Sequence, residues 1–447
     1  MKLFGTDGIR GKANHAPMTG EIAFEVGRAA AYVLNKKHGL HKILIGKDTR
    51  LSGYMLESAL TSGICSMGMN VVLVGPMPTP GIAFVTRSLR VDAGVVISAS
   101  HNPYNDNGIK FFSSDGFKLP DSTESAIEKE MFSKRLEKIR PEGAAIGRAH
   151  RIDDAAGRYI EYVKSTFPKG RTLEGMKVVI DCSNGSAYKI TPFVLDELGA
   201  DVISINDKPD GLNINENCGA THTEAMQRAV LEHKADVGIA HDGDADRTIL
   251  CDEKGELIDG DKVMALCALD MKKQGTLKKD TVVSTVMSNI GFELFLKKNG
   301  IKVVRTQVGD RYVVEEMVKR KCNLGGEQSG HIVFLDHNTT GDGAITALQV
   351  LSIMSRRGKA LSDLTSYIPI YPQVLVNVKV KRTKNMDDYP EIEKAIKMAN
   401  KKISSGRILV RPSGTEPKIR VMIEGDNMDN ITDIANEVAD VIRKKMK

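Results

Sequence analysis

Three stretches of this chain open alike, and that repetition narrows the folds open to it more than any other feature. Lys42-Ile-Leu-Ile-Gly-Lys-Asp48, Lys177-Val-Val-Ile-Asp-Cys-Ser183 and Thr281-Val-Val-Ser-Thr-Val-Met287 are short β-branched runs ending in polar residues, and each reads as a buried strand. A helix-length stretch follows each, then a glycine placed where helices end, then a second strand: Gly68-Met-Asn-Val-Val-Leu-Val74, Gly199-Ala-Asp-Val-Ile-Ser-Ile205 and Gly300-Ile-Lys-Val-Val-Arg305. A third strand in each copy runs into a polar loop: Ser98-Ala-Ser-His-Asn102, His241-Asp-Gly-Asp-Ala-Asp246 and Gly325-Gly-Glu-Gln-Ser-Gly-His331. The pattern predicts three similar α/β domains of the βαβ type, whose polar loops, facing inward, would build one shared site.

From about Tyr371 the texture changes. Gln373-Val-Leu-Val-Asn-Val-Lys-Val-Lys381 alternates and Pro390 onward is charged with helical periodicity, which predicts a smaller C-terminal α+β domain. Boundaries are expected at 1–153, 154–253, 254–369 and 370–447, the last beside the proline-interrupted Tyr367-Ile-Pro-Ile-Tyr-Pro372. At 447 residues the chain is too long for one core, and 41% hydrophobic with 27% charged residues describes an ordinary globular protein. The formal charge of +6 is spread along the chain, and no basic cluster is interleaved with aromatics, so no nucleic-acid partner is expected. No run of about 18 apolar residues predicts a membrane span. The opening Met1–Gly8 lacks an apolar signal core, and the six cysteines show no CxxC spacing, so reduced thiols and a cytoplasmic location are expected.

The loops carry distinct chemistries. Gly94-Val-Val-Ile runs straight into Ser98-Ala-Ser-His-Asn-Pro103, lifting Ser100 onto a loop at a strand's carboxyl end, where open α/β sheets collect their ligands. With His101 beside it, Ser100 is a candidate nucleophile; the competing reading is a plain turn serine. Asp242, Asp244 and Asp246 follow a strand at alternating spacing, and three such carboxylates repel unless a cation joins them. Oxygen-only ligands select Mg²⁺ or Ca²⁺ over zinc. Arg247 occupies the place where a calcium EF-hand needs glycine, and Mg²⁺, which completes its shell with water and phosphate oxygens, points to a phosphoryl ligand. Glu327 and Ser329, enclosed by glycines with His331 alongside, suit a hydroxyl-rich or amino-sugar ligand. Arg411, Ser413, Gly414, Thr415 and Arg420 compose a phosphate clamp of backbone nest, hydroxyls and guanidinium groups. Arg10 and Lys110 are expected as electrostatic partners of a phosphoryl group on Ser100, with Lys47-Asp-Thr-Arg50 adding cations along the same edge.

No nucleotide-binding loop is present in the sequence, so the phosphoryl donor must be the enzyme or the substrate. A phosphorylated Ser100 and two anion sites fit a relay in which a sugar monophosphate becomes a bisphosphate, turns around and returns its other phosphate. A metal-dependent phosphatase and a silent sugar-phosphate sensor use some of the same parts.

Five motifs stand in order: Thr6-Asp-Gly-Ile-Arg10, Ser98-Ala-Ser-His-Asn-Pro103, Asp242-Gly-Asp-Ala-Asp-Arg247, Gly326-Glu-Gln-Ser-Gly-His331 and Arg411-Pro-Ser-Gly-Thr-Glu-Pro417. On these the chain resembles the α-D-phosphohexomutase superfamily along essentially its whole length, most closely its bacterial phosphoglucosamine mutase branch. Gln328, where the phosphomannomutase/phosphoglucomutase branch usually has Met, looks like that glucosamine branch. The resemblance implies four domains around a central cleft, a phosphoserine at Ser100, and one Mg²⁺ per chain held by Asp242, Asp244, Asp246 and the Ser100 phosphate. It also implies interconversion of glucosamine 6-phosphate and glucosamine 1-phosphate for cell-wall amino-sugar precursors, a glucosamine 1,6-bisphosphate activator, and a frequent homodimer. His101, Lys110 and His331 fall on family positions near the reacting groups, and which of them moves protons stays open.

Overall fold

The computed structural model describes residues 3–5, 7–35, 41–380, 389–403, 406–412 and 418–446. By its contacts the chain divides into two units, Met1–Met287 with Gly300–Tyr367, and Ser288–Asn299 with Ile368–Lys447.

The larger unit holds three sheets built on one plan. In the first, Lys42–Lys47 lies between the parallel strands Asn70–Pro76 and Ala93–Ile97, and Asp106–Ser113 returns antiparallel to Ala93–Ile97. In the second, Lys177–Asp181 lies between Asp201–Ile205 and Val237–His241, with Thr248–Asp252 returning. In the third, Thr281–Thr285 lies between Lys302–Thr306 and Leu324–Gly326, with Ile332–Phe334 returning. A parallel neighbour needs a long crossover, whereas an antiparallel one needs only a hairpin. Each sheet therefore carries one short loop at the carboxyl end of its third strand, and those three loops are the polar segments predicted from sequence. Ala93–Ile97 and Val237–His241 are buried at every residue, as strands covered on both faces must be. The first sheet also gains Ile9–Lys12, paired antiparallel to Asp106–Ser113 with Arg10 opposite Gly108.

The smaller unit is α+β, as expected. Its antiparallel sheet runs Gln373–Lys379, Lys418–Gly425, Gly406–Pro412. Ile419, Val421 and Ile423 pack against Ile431, Ile434, Val438 and Ile442 of the helix Met428–Lys445. The helix Ile290–Lys298 groups with this unit: Asn289 Oδ1 caps it at Gly291 N (2.9 Å), and the same side chain bonds both the carbonyl (2.9 Å) and the N–H (3.0 Å) of Tyr371. No helix among the described residues is long and apolar enough to cross a membrane, and all six cysteines are free.

The helices Gly20–Leu34 and Ser52–Cys65 touch backbone to backbone, because a Cβ on Gly63 would lie 2.2 Å from Phe24 O. Gly63→Leu should therefore push these helices apart at a cost of about 1–3 kcal/mol. Calorimetry should show a lower melting midpoint; an unchanged midpoint would contradict the packing.

Candidate active site

Ser100 sits in the hairpin joining Ala93–Ile97 to Asp106–Ser113, buried, with a left-handed backbone (φ 53°) that an L-residue adopts only under compensation. Its carbonyl accepts from Arg50 Nη2 and Asn215 Nδ2, both at 2.9 Å, and its N–H donates to Ser98 Oγ at 2.9 Å. So held, its hydroxyl donates to Asp242 Oδ2 at 2.6 Å and lies 3.3 Å from His101 Nδ1.

Asp242, Asp244 and Asp246 occupy the equivalent hairpin of the second sheet, all buried, with one oxygen of each within 4.8 Å of the others. Gly243 makes the approach possible: a Cβ there would meet Ser100 O at 2.8 Å. Burial, then repulsion from its two neighbours, pushes the Asp242 carboxyl well above the usual range, and burial and Asp244 push Asp246 up. For Asp244, burial is outweighed by Lys110 and by the Thr79 hydroxyl (2.7 Å), which hold its pKa low. Asp244 Oδ1 and Asp246 Oδ1 are buried without a hydrogen-bond partner among the described residues. Crowded, dehydrated, partly orphaned carboxylate oxygens fit a hard divalent cation.

Cations border this pocket. Lys110 Nζ lies 3.1 Å from Asp244 Oδ2, 3.8 Å from Asp246 Oδ2 and 3.3 Å from Asp7 Oδ2; despite burial, these acids raise its pKa and keep it an ammonium. Arg247 Nε stands 3.8 Å from Asp246 Oδ1, and Arg10 pairs with Asp7. Among the described residues, Arg10 Nε and Arg247 Nε are both buried without an acceptor, a pairing suited to an anion. Burial, Arg247 and Arg10 lower the His101 pKa to about 4, so its ring is neutral at neutral pH.

The third hairpin joins the same cluster, since Thr248 N donates to Gly330 O at 3.1 Å. Glu327 Oε1 accepts from Gly309 N at 3.1 Å and its Oε2 from Ser329 Oγ at 3.4 Å. His331 Nε2 accepts from Gly341 N at 2.9 Å, which engages that lone pair. Gln328 turns aside to donate to Asp259 Oδ2 at 3.1 Å.

In the smaller unit, Arg411 and Arg420 stand directly opposite each other on neighbouring strands. Like charges so placed repel. Burial and then Arg420 depress the Arg411 pKa, and Arg420 Nε is buried with no acceptor among the described residues, an arrangement suited to an anion. Ser413, Gly414 and Thr415 lie outside the described residues.

Sequence reasoning misplaced one group and missed others. Lys47 and Arg50 do not line the edge as free cations. Lys47 is buried against Glu57, and Arg50, fully buried, binds Asp48 Oδ2 (2.8 Å) and the carbonyls of Ser100, Asn102 (2.8 Å), Pro103 and Asp106 (3.1 Å). Arg50 thus holds the serine loop from beneath. Asp7, Thr79 and Asn215 were missed; only Asp7 lies inside a motif singled out from the sequence. Arg50→Met would strip the partners from several buried carbonyls and leave Asp48 unpaired, a loss of about 3–5 kcal/mol. Hydrogen exchange across residues 98–106 should accelerate strongly; unchanged protection would refute this role.

Comparison with known proteins follows the same outline. Family profiles described as phosphoglucomutase/phosphomannomutase match alpha/beta/alpha domain I over residues 1–138, domain II over 157–255, domain III over 259–371 and the C-terminal domain over 375–441. The chain is 58% identical over 446 residues to a phosphoglucosamine mutase of Geobacter sp. (strain M21), covering 100% of this chain and 98% of that protein. A phosphoglucomutase/phosphomannomutase family protein of Burkholderia thailandensis shares the fold with a TM-score of 0.82 at 22% identity, over 99% of this chain and 97% of that one. Aspergillus fumigatus N-acetylphosphoglucosamine mutase, solved in complex with GlcNAc-6P and magnesium, superposes with a TM-score of 0.72 at 20% identity, over 100% of this chain and 96% of its own. Three like-built α/β domains, a C-terminal domain and near-full-length identity to a curated relative converge on one conclusion: the chain belongs to the phosphoglucosamine mutases of the α-D-phosphohexomutase superfamily.

Proposed function

We propose that this protein interconverts glucosamine 6-phosphate and glucosamine 1-phosphate by passing a phosphoryl group through Ser100, with glucosamine 1,6-bisphosphate as intermediate and activator. The observation that carries the reading is the 2.6 Å hydrogen bond from Ser100 Oγ into the buried three-aspartate pocket. The name of the 58% identical relative supports the choice of sugar.

In the first half-reaction the free C1 hydroxyl of glucosamine 6-phosphate attacks the phosphorus of phosphorylated Ser100. A sugar–phosphate bond forms, the bond to Ser100 Oγ breaks, and the hydroxyl proton passes to a base. The proton taken up in the first step returns to Ser100 Oγ. The bisphosphate then turns around, Ser100 Oγ attacks the phosphorus of the 6-phosphate, and the C6 O–P bond breaks. The Oγ proton passes by way of the base to the departing C6 oxygen, and glucosamine 1-phosphate leaves with C6 as a hydroxyl. Lys110, held protonated, serves as a charge partner together with Arg10 and Arg247. His331 has its Nε2 lone pair engaged, whereas His101 is neutral and 3.3 Å from Ser100 Oγ, so His101 receives the proton role. Asp242, Asp244, Asp246 and a Ser100 phosphate oxygen would hold one Mg²⁺, which when bound withdraws charge from the phosphoryl group. Glu327 and Ser329 are assigned sugar hydroxyls, and Arg411, Arg420, Ser413, Gly414 and Thr415 the phosphate not being transferred. Cytoplasmic residence belongs to this reading through the N-terminal and cysteine pattern, and a homodimer through family resemblance alone.

Ser100→Ala should lower isomerisation by at least about 10³-fold while leaving the circular dichroism spectrum unchanged. Phosphorus NMR of glucosamine 6-phosphate with Mg²⁺ and catalytic bisphosphate reads this directly, with glucose and mannose phosphates as competitors. Undiminished turnover in the variant would end the proposal.

A further inference from the structure

Lys118 belongs to none of the motifs, yet it joins the N-terminal segment carrying Asp7 and Arg10 to the start of the helix Asp310–Arg320, which abuts the sugar loop. It follows the strand Asp106–Ser113 and precedes the helix Asp121–Met131, and its Nζ pairs with Asp7 on one side and Asp310 on the other, 111 and 192 residues away in sequence. Asp7 in turn meets Lys110 at 3.3 Å and Arg10, the charge partners at the phosphoryl end. Asp310 Oδ2 stands 3.8 Å from His331 Nδ1, on the sugar loop. Charges of alternating sign thus run Lys110, Asp7, Lys118, Asp310 without a break and end beside the His331 ring. A second pair seats the arrangement: Arg311, next to Asp310, reaches Glu124 Oε1 at 3.0 Å and Leu119 O at 3.1 Å. The Lys118 and Asp310 side chains are only 13% and 16% exposed, so water screens their attraction weakly.

We propose that Lys118 is a positioning residue whose single ammonium, shared between Asp7 and Asp310, fixes the phosphoryl-end cations and the sugar loop in one register. The proposal rests on the reaction assigned above. Without the ammonium, Asp7 and Asp310 would face each other as like charges and drive the N-terminal segment and the start of the helix Asp310–Arg320 apart. Small displacements of that kind are costly where reacting groups must align.

The test uses the full-length enzyme with Mg²⁺ and the variants Lys118→Met, Lys118→Arg, Asp310→Asn and the Lys118→Met/Asp310→Asn double. For Lys118→Met, kcat/KM for glucosamine 6-phosphate should fall about 100-fold, mostly in kcat, while Ser100 phosphate occupancy by intact mass stays within about twofold of wild type. Lys118→Arg should recover to within about fivefold of wild type, and the double variant should be no worse than about threefold below Lys118→Met, because both act through one ion pair. Losses that multiply in the double, an arginine variant as poor as the methionine, or a methionine variant with near-normal kcat would overturn the proposal. Should Lys118→Met fail to fold, the single variants decide: Lys118→Arg near wild type with Asp310→Asn impaired supports it, and Asp310→Asn with unchanged kinetics overturns it. Absence of turnover in the wild-type enzyme would count against the assigned reaction; the pairing is then read from melting midpoints in the same four variants, where additivity overturns it.

Discussion

Burying Asp242, Asp244 and Asp246 within a few ångströms of one another is unfavourable on two counts, desolvation and mutual repulsion, and both act on Asp242 and Asp246. The fold accepts this because compensation comes from other segments. Lys110, from the first sheet, neutralises Asp244; the Thr79 hydroxyl bonds the same carboxylate; and Ser100 donates its hydroxyl to Asp242. Among the described residues the compensation is incomplete, with carboxylate oxygens and guanidinium N–H groups left buried and unsatisfied side by side. Unpaired carboxylate acceptors beside unpaired guanidinium donors suit a metal-bound phosphoryl group.

Topology explains why such different loops meet. Each of the three sheets turns from parallel to antiparallel pairing after its third strand, so each presents a short hairpin at the same relative place. Short hairpins on fully buried strands are precise mounts, and the left-handed turn at Ser100 is made tolerable by Arg50 and Asn215 gripping its carbonyl. The chemistry then differs only in what each hairpin displays: a hydroxyl, carboxylates, or a glycine-bounded polar loop.

The repeated strands, the three loops and the C-terminal α+β unit were legible because hydrophobic runs and glycine punctuation are local signals. The direction of individual side chains was not. Lys47 and Arg50 read as edge cations, yet the interior offers Glu57, Asp48 and a set of loop carbonyls that outcompete water for them. Gln328 carries the branch resemblance but spends its amide on Asp259, the cap of the helix Gly260–Lys273, so any influence on sugar choice acts through loop shape. The helix Ile290–Lys298 lies inside the third repeat, between Thr281–Thr285 and Lys302–Thr306, yet groups with the last unit, a tertiary preference that periodicity does not encode. Pairings such as Lys118 with Asp310 depend on how whole domains are juxtaposed, and no spacing rule reaches across that distance.

The central claim is that the hydroxyl turned into the aspartate pocket is the phosphoryl carrier. The direct measurement is a pulse–chase: enzyme loaded from isotopically labelled glucosamine 1,6-bisphosphate, quenched and digested, with the labelled peptide identified by mass spectrometry before and after excess glucosamine 6-phosphate. The account predicts label on the peptide containing Ser100 and its complete transfer to sugar phosphate within one turnover. Label on another residue, or a labelled Ser100 that does not chase, would contradict it.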